Sequence, residues 1–451
     1  MSYLIGLDMG TSSVKAILMT ESGVVEKSEH GAFTYHRLDN GGVEIEANDF
    51  AKVCLGTIKK LADSVNGDVA ALCASSASGN LIVLDKENNP LTAIIGWQDK
   101  RVGNEAKDVL GNIDTEALYR QIGWPFGFKA FPLAQMCYIK KNNPEIIKNC
   151  GMVCMSTEYL YWLLTGKWGI STSAGTPFFF IDQQSGKYID FLMEAVGITE
   201  DKLPPVMNAG EILGRVKGDM AAKCGLKEGT PIVLGTFDHP SAARGVGVLK
   251  EGQMLLSCGT SWVAFFPIQD RNKIADAHML IDPFLSPNGG CWGSMTSVAS
   301  ISERIWLYVS RYVDSSEKAF STLSALASKA DAGAGGLCIN PKDEPDDEKI
   351  LLYSKENIAR AIMEGTVNLL KDRLDTLSQK GISAKSAVMV GGPSEDPFWI
   401  ELISKMCSVE VKVIHGKFAG AVGAAVLAGI GAGIYKDEED AIKIMRGAEN
   451  V

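Results

Sequence analysis

Three kinds of short stretch in the sequence combine small, hydroxyl-bearing and charged residues at spacings suited to phosphate chemistry. The first, "DMGTSSVK", follows an apolar run and brings glycine, threonine and serine together in one turn between Asp8 and Lys15. Converging backbone N–H groups and hydroxyls can cradle a phosphate, and a carboxylate such as Asp8 is the oxygen ligand that Mg²⁺ prefers. A polar hairpin turn without a ligand is the alternative interpretation.

The stretch "QMLLSCGTSW" repeats this pattern in the second half of the chain. Gly259-Thr260-Ser261 stands between two apolar, strand-like segments, as Gly10-Thr11-Ser12 does. Two distant copies indicate an internal duplication rather than a short-period repeat, with a domain boundary near residue 245. Two such loops, one from each domain, could clamp the phosphates of a nucleotide. The first loop is preceded by Asp8 and the second by Ser257.

Two further stretches place chemistry at the end of a strand-like run. "GTFDHPSAARG" delivers Asp238 among small residues, where a carboxylate could act as a general base or only close a turn. "VMVGGPSEDPFW" runs into Gly391-Gly392, whose missing side chains let a flat ring approach the backbone. The alternative for this second stretch is an ordinary strand-to-helix turn with Ser394 as the N-cap.

The elements that must position these residues follow from periodicity and turn residues. An antiparallel meander is predicted from residue 3 onward, and "DVAALCASSASGNLIVLD" (68–85) predicts strand, turn and strand. Residues 144–166 predict a strand-like step and a helix that ends at Gly166. Helices are predicted at 300–313 and 357–377, a strand at 386–392, and an Ala/Gly helix at 419–433 whose small residues allow close packing on a sheet.

Bulk properties exclude several classes of protein. A chain of 451 residues favours two or three domains, and a net charge of −10 argues against a nucleic-acid partner. No apolar run is long enough to span a membrane, and the N-terminal residues do not resemble a signal peptide. The ten cysteines show no zinc-binding spacing. We therefore expect a cytoplasmic protein with reduced thiols.

Taken in order, these stretches resemble the FGGY family of carbohydrate kinases. "GLDMGTSSVKAIL", "GTFDHPSAARGVGVLKEGQMLLSCGTSW", "RAIMEGTVNLL" and "VMVGGPSEDPFW" are the strongest blocks, and "GGVEIEANDF", "GWQDKR" and "LLTGK" support them. The resemblance implies an α/β fold of two actin-like ATPase (ribonuclease-H-like) domains with ATP and sugar in the cleft between them. It implies an N-terminal sugar-binding and catalytic domain, 1–244, and a C-terminal nucleotide-binding domain, 245–451. It also implies ATP-dependent, Mg²⁺-assisted phosphorylation of a sugar or polyol hydroxyl, and dimers are common among such enzymes.

The resemblance assigns roles to individual residues. Asp238 corresponds to the catalytic base, and Asp8 together with Asp238 to the metal-associated carboxylates. The ATP-binding residues that it implies are Gly10, Thr11, Ser12, Ser13, Lys15, Gly259, Thr260, Ser261, Gly391 and Gly392. His239, next to the base, would contact the sugar, although a structural histidine beside the turn is an equal alternative.

Departures from the family pattern concern the substrate. Ser78 and Gly79 stand where related kinases carry a pair of bulky substrate contacts. Their absence predicts room for a larger substrate, or a substrate held by other side chains: Asn80, Trp97, Asp99, Trp124 or His239. The segment "SVASISERIW" lacks a glycine that the family has before its helix, and the short acidic loop "PKDEPDDEK" replaces a longer one.

Two other functions stay open from the sequence. One is a non-kinase actin-like ATPase, which would need a peptide-binding or polymerising region that the sequence does not reveal. The other is a catalytically reduced sugar-binding sensor, suggested by the changed residues at 78 and 79.

Overall fold

The computed structural model describes residues 2–77, 79–125, 131–414 and 416–448. The chain forms two compact units. The first comprises Met1–Leu249, His278–Gly293 and Phe418–Val451, and the second comprises Lys250–Ala277 and Ser294–Lys417.

The described residues form strands and helices throughout the chain. The strands are β1 (Tyr3–Met9), β2 (Ser13–Thr20), β3 (Val25–Ala32), β4 (His36–Arg37), β5 (Val43–Ile45), β6 (Val69–Ser76), β7 (Ile82–Leu84), β8 (Ile94–Ile95), β9 (Met152–Cys154), β10 (Ile170–Ser171), β11 (Ile181–Asp182), β12 (Lys187–Tyr188), β13 (Val206–Met207), β14 (Ile212–Arg215), β15 (Pro231–Val233), β16 (Gln253–Cys258), β17 (Trp262–Ile268), β18 (Leu280–Asp282), β19 (Trp292–Val298), β20 (Ser386–Gly391) and β21 (Glu410–Val413). The α-helices are α1 (Ala47–Ala62), α2 (Glu105–Leu110), α3 (Thr115–Ile122), α4 (Pro132–Asn142), α5 (Pro144–Asn149), α6 (Ser156–Thr165), α7 (Asp190–Val196), α8 (Gly218–Cys224), α9 (Asp238–Gly245), α10 (Arg271–Asp276), α11 (Ile301–Tyr312), α12 (Ala319–Ala327), α13 (Asp347–Ile350), α14 (Lys355–Gln379), α15 (Pro397–Cys407), α16 (Ala419–Gly431) and α17 (Glu438–Ala448).

The sheet of the first unit has the order β14-β15-β6-β1-β2-β3. Strands β1, β2 and β3 are successively antiparallel, which confirms the predicted meander. Strands β1, β6 and β15 are parallel to one another. Their carboxyl ends therefore meet at one edge of the sheet, which is where ligands bind in open α/β sheets.

Helices cover both faces of this sheet. Side chains alternate between the two faces of a strand, so each strand contributes to two cores. On one face, Ile5 and Leu7 join a core that includes Phe50 and Cys54 of α1. On the other face, Leu4 packs in a second core with the alanines of α16. The predicted Ala/Gly helix thus exists, and it packs on the sheet as expected.

Small residues let α16 approach the sheet very closely. A Cβ atom added to Gly6 of β1 would lie 1.9 Å from the carbonyl oxygen of Ala421, which leaves no space for any side chain. Gly423 is equally constrained on the opposite side of the helix, because its Cβ would lie 1.8 Å from the carbonyl oxygen of Ser241 in α9. Helix α16 is therefore held between β1 and α9.

The second unit contains the strand order β19-β17-β16-β20-β21. Helices α11 and α14 and strand β20 lie where the sequence predicts them. The N-cap of α15 is different from the prediction. Asp396 caps this helix by accepting the N–H of Phe398, while the Ser394 hydroxyl donates to the carbonyl of Gly391. Ser394 fails as the cap because it lies too far before the first turn.

Each compact unit is built from separate stretches of the chain, and residues 278–293 and 418–451 belong to the first unit. The division into a sugar-binding and catalytic domain, 1–244, and a nucleotide-binding domain, 245–451, stays a prediction.

The ten cysteines are free thiols, and eight of them are buried. Among the described helices, none combines the length and the apolar character that crossing a membrane requires.

Candidate active site

The first glycine-threonine-serine loop joins β1 to β2 in the first unit. Asp8 pairs with Lys15 across this hairpin and with Ser75 on the parallel neighbour β6. The loop is held on two sides: the Trp97 indole N–H donates to the Thr11 hydroxyl at 3.0 Å, and the Phe33 N–H donates to the Ser12 carbonyl. Gly10, Thr11 and Ser13 remain partly exposed and Ser12 is exposed. These groups are available to a ligand.

Asp8 lies against the first turn of α16. It shares the α16-facing side of β1 with Gly6, and a Cβ on Gly420 would lie 2.8 Å from the Asp8 carboxylate. Burial and, to a smaller extent, the negative charge of Asp238 raise the pKa of Asp8 to about 6, and Lys15 acts in the opposite direction. Asp238 is therefore close enough to influence the ionisation of Asp8.

Asp238 is the first residue of α9, not a turn residue. Phe237 is the N-cap of this helix, and the Asp238 carboxylate accepts the N–H of His239 at 2.7 Å. Its side chain is partly exposed. Negative charge is favourable at a helix N-terminus, so this position suits an accessible carboxylate.

A buried chain of hydrogen bonds fixes the start of α9. The Phe237 N–H donates to the Ser173 hydroxyl at 3.2 Å, and this hydroxyl donates to the Asp282 carboxylate at 2.7 Å. Asp282 also accepts the N–H of Phe284 at 2.8 Å. Burial raises the pKa of Asp282 to about 6, with a smaller contribution of the same sign from Asp238.

The other end of α9 is held by the same segment of chain. Arg244, which is 1% exposed, donates to the carbonyl of Phe284 at 2.8 Å and lies over its ring at 4.7 Å. Arg244 also pairs with Glu438 at 3.0 Å. Segment 278–293 thus contacts the end of α9 at Arg244 and is linked to its start through Ser173.

The first turn of α16 connects the two aspartate-bearing elements. The carbonyl of Gly420 accepts the Ser241 hydroxyl of α9 at 2.8 Å and the Ser75 hydroxyl of β6 at 3.5 Å. The same glycine packs on Asp8. Asp8 and Asp238 are therefore positioned by one shared helical turn.

The predicted substrate residues differ in their surroundings. Ser78 lies outside the described residues. Asn80 and His239 are partly exposed, and the Asn80 side-chain oxygen accepts the N–H of Ser156 at 2.7 Å. Trp97 is 41% exposed. Trp124 is partly exposed and packs between Phe131 and Phe237.

Asp99 is a structural group of the loop that carries Trp97. It is 3% exposed. Its carboxylate accepts the N–H of Val43 at 2.9 Å and pairs with Arg101 at 2.7 Å, and Arg101 also pairs with Glu44 at 2.6 Å. All of these interactions orient the loop, and they leave the carboxylate turned away from solvent.

Two aromatic residues lie close to Gly79. A Cβ atom on Gly79 would lie 2.6 Å from the Phe131 ring and 3.5 Å from the Cβ of Trp97. A Cβ atom at this position would therefore meet neighbouring side chains, and room for a larger substrate at the site stays a prediction. The nearby pocket between Thr11, Asn80 and Trp97 has a volume of about 20 Å³, which is room for about one or two water molecules.

The second glycine-threonine-serine loop, in the second unit, is held by a helix. The Ser302 hydroxyl of α11 donates to the Gly259 carbonyl at 2.7 Å, and the N–H of Ser300 donates to the Ser261 hydroxyl at 3.0 Å. Ser300 adopts a left-handed backbone, with φ of 51°. The serine thus takes the backbone conformation that glycine adopts most easily.

Strand β20 brings the glycine pair beside this loop. Gly391 pairs with Cys258 and has φ of 99°, and a Cβ on it would lie 2.3 Å from the Cys258 carbonyl oxygen. Gly392 has open space around it, and Gly259, Thr260, Gly391 and Gly392 are exposed. The structure therefore places the predicted nucleotide-binding residues of the second unit next to each other.

Several positioning residues were not identified from the sequence. Ser173 and Asp282 lie in a turn and at the end of β18 with no motif around them, and Arg244 lies in the stretch that carries Asp238, where its packing role gives no local signal. Gly420 could have been found, because glycines and alanines at every turn of a helix indicate close packing.

The donor set fits Mg²⁺ better than a transition metal. Among the described residues, no group of three or more His, Cys, Asp or Glu side chains could hold a metal ion. Mg²⁺ is usually bound through one or two carboxylates together with substrate phosphates. Asp8 and Asp238 supply such a pair, and a cation beside them would offset the mutual repulsion that contributes to the raised pKa of Asp8.

Comparisons with known proteins identify the family of the chain. The chain matches the N-terminal domain of the FGGY family of carbohydrate kinases over residues 3–245 and the C-terminal domain over residues 344–432. It is 24% identical to the autoinducer-2 kinase of Enterobacter sp. (strain 638), over 97% of this chain and 87% of that one. It is also 24% identical to the xylulose kinase of Bacillus subtilis (strain 168), over 98% and 90% of the two chains.

The fold is similar to solved structures of the same family. The crystal structure of xylulose kinase from Rhodospirillum rubrum superposes with a TM-score of 0.87 at 23% identity, covering 97% of this chain and 92% of that one. The predicted α/β fold with two actin-like ATPase domains is thereby confirmed. With the N-terminal family domain alone spanning more than half of its length, the chain belongs to the FGGY family of carbohydrate kinases and is an ATP-dependent sugar kinase.

Proposed function

We propose that this protein transfers the γ-phosphoryl group of ATP to a hydroxyl of a ketose or polyol, with Asp238 as the general base. The observation that carries the proposal is the placement of Asp238. Its carboxylate is partly exposed at the start of α9, and it shares the carboxyl edge of the sheet with Asp8 and the first phosphate loop.

In this reaction, Asp238 accepts the proton of the substrate hydroxyl while the hydroxyl oxygen attacks the γ-phosphorus. The bond from this phosphorus to the bridging oxygen of ADP breaks, and the proton later passes from Asp238 to water. Such transfers depend mainly on positioning and electrostatics. The hydrogen bonds from Ser173 and Ser241 supply that positioning for α9.

We assign ATP binding separately in each unit. In the first unit, Gly10, Thr11, Ser12, Ser13 and Lys15 would bind phosphate. In the second unit, Gly259, Thr260 and Ser261 would bind phosphate, and Gly391 with Gly392 would contact the adenosine. Asp8 and Asp238 would hold Mg²⁺, which, when bound, neutralises charge on the phosphates.

The substrate is assigned by class. The similarity to xylulose kinases supports a ketose, and Asn80, Trp97, Trp124 and His239 are the partly or substantially exposed side chains that we propose to contact it. Ser78 stays a prediction. We assign Asp99 to the support of Trp97.

A coupled ADP-release assay over a panel of ketoses and polyols, with and without Mg²⁺, tests the proposal. We expect sugar-stimulated ADP release that requires Mg²⁺. ADP release that no sugar stimulates would favour a non-kinase ATPase. Sugar binding by calorimetry without any turnover would favour a sugar-binding sensor.

A further inference from the structure

The backbone and the surroundings of position 79 both favour glycine. Gly79 has φ of 76°, a left-handed conformation that other residues rarely adopt. A Cβ atom there would also meet the Phe131 ring at 2.6 and 2.7 Å. The ring of Phe131 thus occupies the space that a side chain at 79 would need.

Phe131 belongs to an aromatic wall, which we define as Phe131, Trp124, Phe179 and Phe237. Ring centroids lie 4.8 Å apart for Phe131 and Trp124, 5.2 Å for Phe131 and Phe179, and 5.8 Å for Trp124 and Phe237. Phe179 and Phe237 are buried, whereas Phe131 and Trp124 are partly exposed. The wall thus has a buried support and an accessible surface.

The wall extends to the catalytic helix. Phe237 directly precedes Asp238, and its ring lies 5.7 Å from the ring of His239. Ring contacts thus run from Phe131 through Trp124 and Phe237 to His239, the residue that follows Asp238. The Trp124 indole N–H is the one polar group among the four side chains of the wall, and the rest of its surface is carbon.

Aromatic carbons cannot accept or donate hydrogen bonds to a sugar hydroxyl. A hydroxyl buried against them loses its water partners without replacement, whereas a methyl or methylene group gains from leaving water. A wall in this position therefore discriminates against substrates that carry a hydroxyl on the facing carbon.

We propose that the Gly79–Phe131 pair sets substrate specificity, and that the preferred substrate is a polyol or sugar with a deoxy carbon or methyl group facing the aromatic wall. This inference rests on the proposed function, in which Asp238 activates the acceptor hydroxyl.

Matched substrate pairs test the preference. Suitable pairs are D-xylulose with 1-deoxy-D-xylulose, D-fructose with 1-deoxy-D-fructose, and glycerol with 1,2-propanediol. We expect kcat/KM for at least one deoxy member to exceed that of its parent by about 10-fold, the lower end of the effect of one methylene in an apolar pocket. Equal or higher values for the hydroxylated member in every pair would overturn the inference.

Direct binding separates failure of this inference from failure of the proposed function. Affinity for both members of each pair is measured from the fluorescence of the protein's tryptophans, which needs no turnover. If a deoxy member binds more tightly than its parent but the protein shows no turnover, the inference about the aromatic wall holds and the proposed kinase mechanism fails. Tighter binding of every parent would reject the wall whether or not the protein is active.

A substitution in the wall supplies the second test. Phe131→Leu keeps an apolar side chain and removes the ring. We expect the deoxy preference to fall by about 5-fold or more, as expected for part of a methylene-sized contact. Phe191→Leu, at an exposed phenylalanine of α7, is the control and should leave the preference unchanged. An equal change in both variants contradicts the inference.

The contact between Gly79 and Phe131 can be tested without any substrate. Gly79→Ala should lower Tm strongly in the wild type and by less in a Phe131→Ala background, because removal of the ring relieves the clash and leaves only the backbone strain. An equal loss of Tm in the two backgrounds would show that Phe131 does not fill the position, and the specificity argument would fall with it.

Discussion

The two glycine-threonine-serine hairpins share one backbone arrangement and differ in charge. In each, the first strand has an antiparallel partner that follows the loop and a parallel neighbour on its other side: β2 and β6 beside β1, and β17 and β20 beside β16. Asp8 in the first copy faces Lys15 and Ser75. Ser257 in the second faces Val263 and Val390.

The loops are also supported differently. The first is held by the side chain of Trp97 and the second by the N-terminal residues of α11. A helix N-terminus with backbone N–H groups suits an anion, whereas a carboxylate suits a cation. The difference shows that one backbone arrangement occurs twice, with a carboxylate at Asp8 in the first hairpin and a hydroxyl at Ser257 in the second.

The largest effect should come from Asp238, the proposed general base, which lies near the first hairpin. Asp238→Asn should reduce kcat by about 100-fold or more, within the roughly 10²–10⁴-fold contribution of a general base, because an amide cannot accept the hydroxyl proton. Single-turnover and steady-state ADP release measure this loss. Asp190→Asn, at another aspartate that begins a helix of the same unit, should retain normal turnover. Near-normal kcat for Asp238→Asn would remove the assignment.

The second effect is a pH dependence of stability that comes from the buried carboxyl group of Asp282. The pKa of Asp282 is raised from 3.8 to about 6 in the folded protein, so the folded state binds the proton more tightly than the unfolded state. Stability from this group is therefore present below pH 4 and lost as the pH rises through 6. At 1.36 kcal/mol per pKa unit, the loss is roughly 3 kcal/mol.

Asp282→Asn should remove that pH dependence. The free energy of unfolding of the variant, minus that of wild type, should increase by up to about 3 kcal/mol between pH 4 and pH 8, because only wild type loses stability as the pH rises. Urea unfolding at a series of pH values measures the difference. A constant difference across this range would mean that Asp282 is not the titrating group.

The third effect tests the close packing of α16 on the first hairpin. Gly420→Ala should destabilise the protein by roughly 1–3 kcal/mol, as overpacking does, because the new Cβ would lie 2.8 Å from the Asp8 carboxylate. Gly56→Ala in α1, where nothing lies within 4 Å, is the control. It should stabilise the helix by roughly 0.5–1 kcal/mol. Similar Tm changes in both variants would argue against the contact with Asp8.

The smallest effect compares the hairpins directly. Asp8→Ala should raise the Mg²⁺ concentration for half-maximal activity by about 10-fold, the lower end of effects on metal affinity. Ser257→Ala, at the equivalent residue of the second hairpin, should change it by less than about 2-fold, since hydroxyls contribute little to binding of a hard cation. Equal shifts of this Mg²⁺ concentration in the two variants would show that the two hairpins do not differ in their contribution to Mg²⁺ binding.

The sequence predicted the local parts of the site well. The meander, the second hairpin, the strand before Gly391 and the Ala/Gly helix all follow from short-range periodicity and turn residues. Asp238 was harder, because a turn and a helix start share the same residue types, and the structure decides for the helix. At Gly79, the local pattern of residues gave no sign of Phe131, whose ring lies where a Cβ atom would be.

The sequence by itself determined the duplicated loops, the positions of Asp8 and Asp238, and the family, because these depend on residue order and short-range spacing. Only the tertiary structure decided what surrounds them. Asp282 and Ser173 lie far from Asp238 in the sequence, yet they form hydrogen bonds at the start of its helix. Gly420 likewise packs on Asp8, and the ring of Phe131 lies against Gly79. Such contacts depend on strand register and on packing at atomic distances, which no local pattern of the chain encodes.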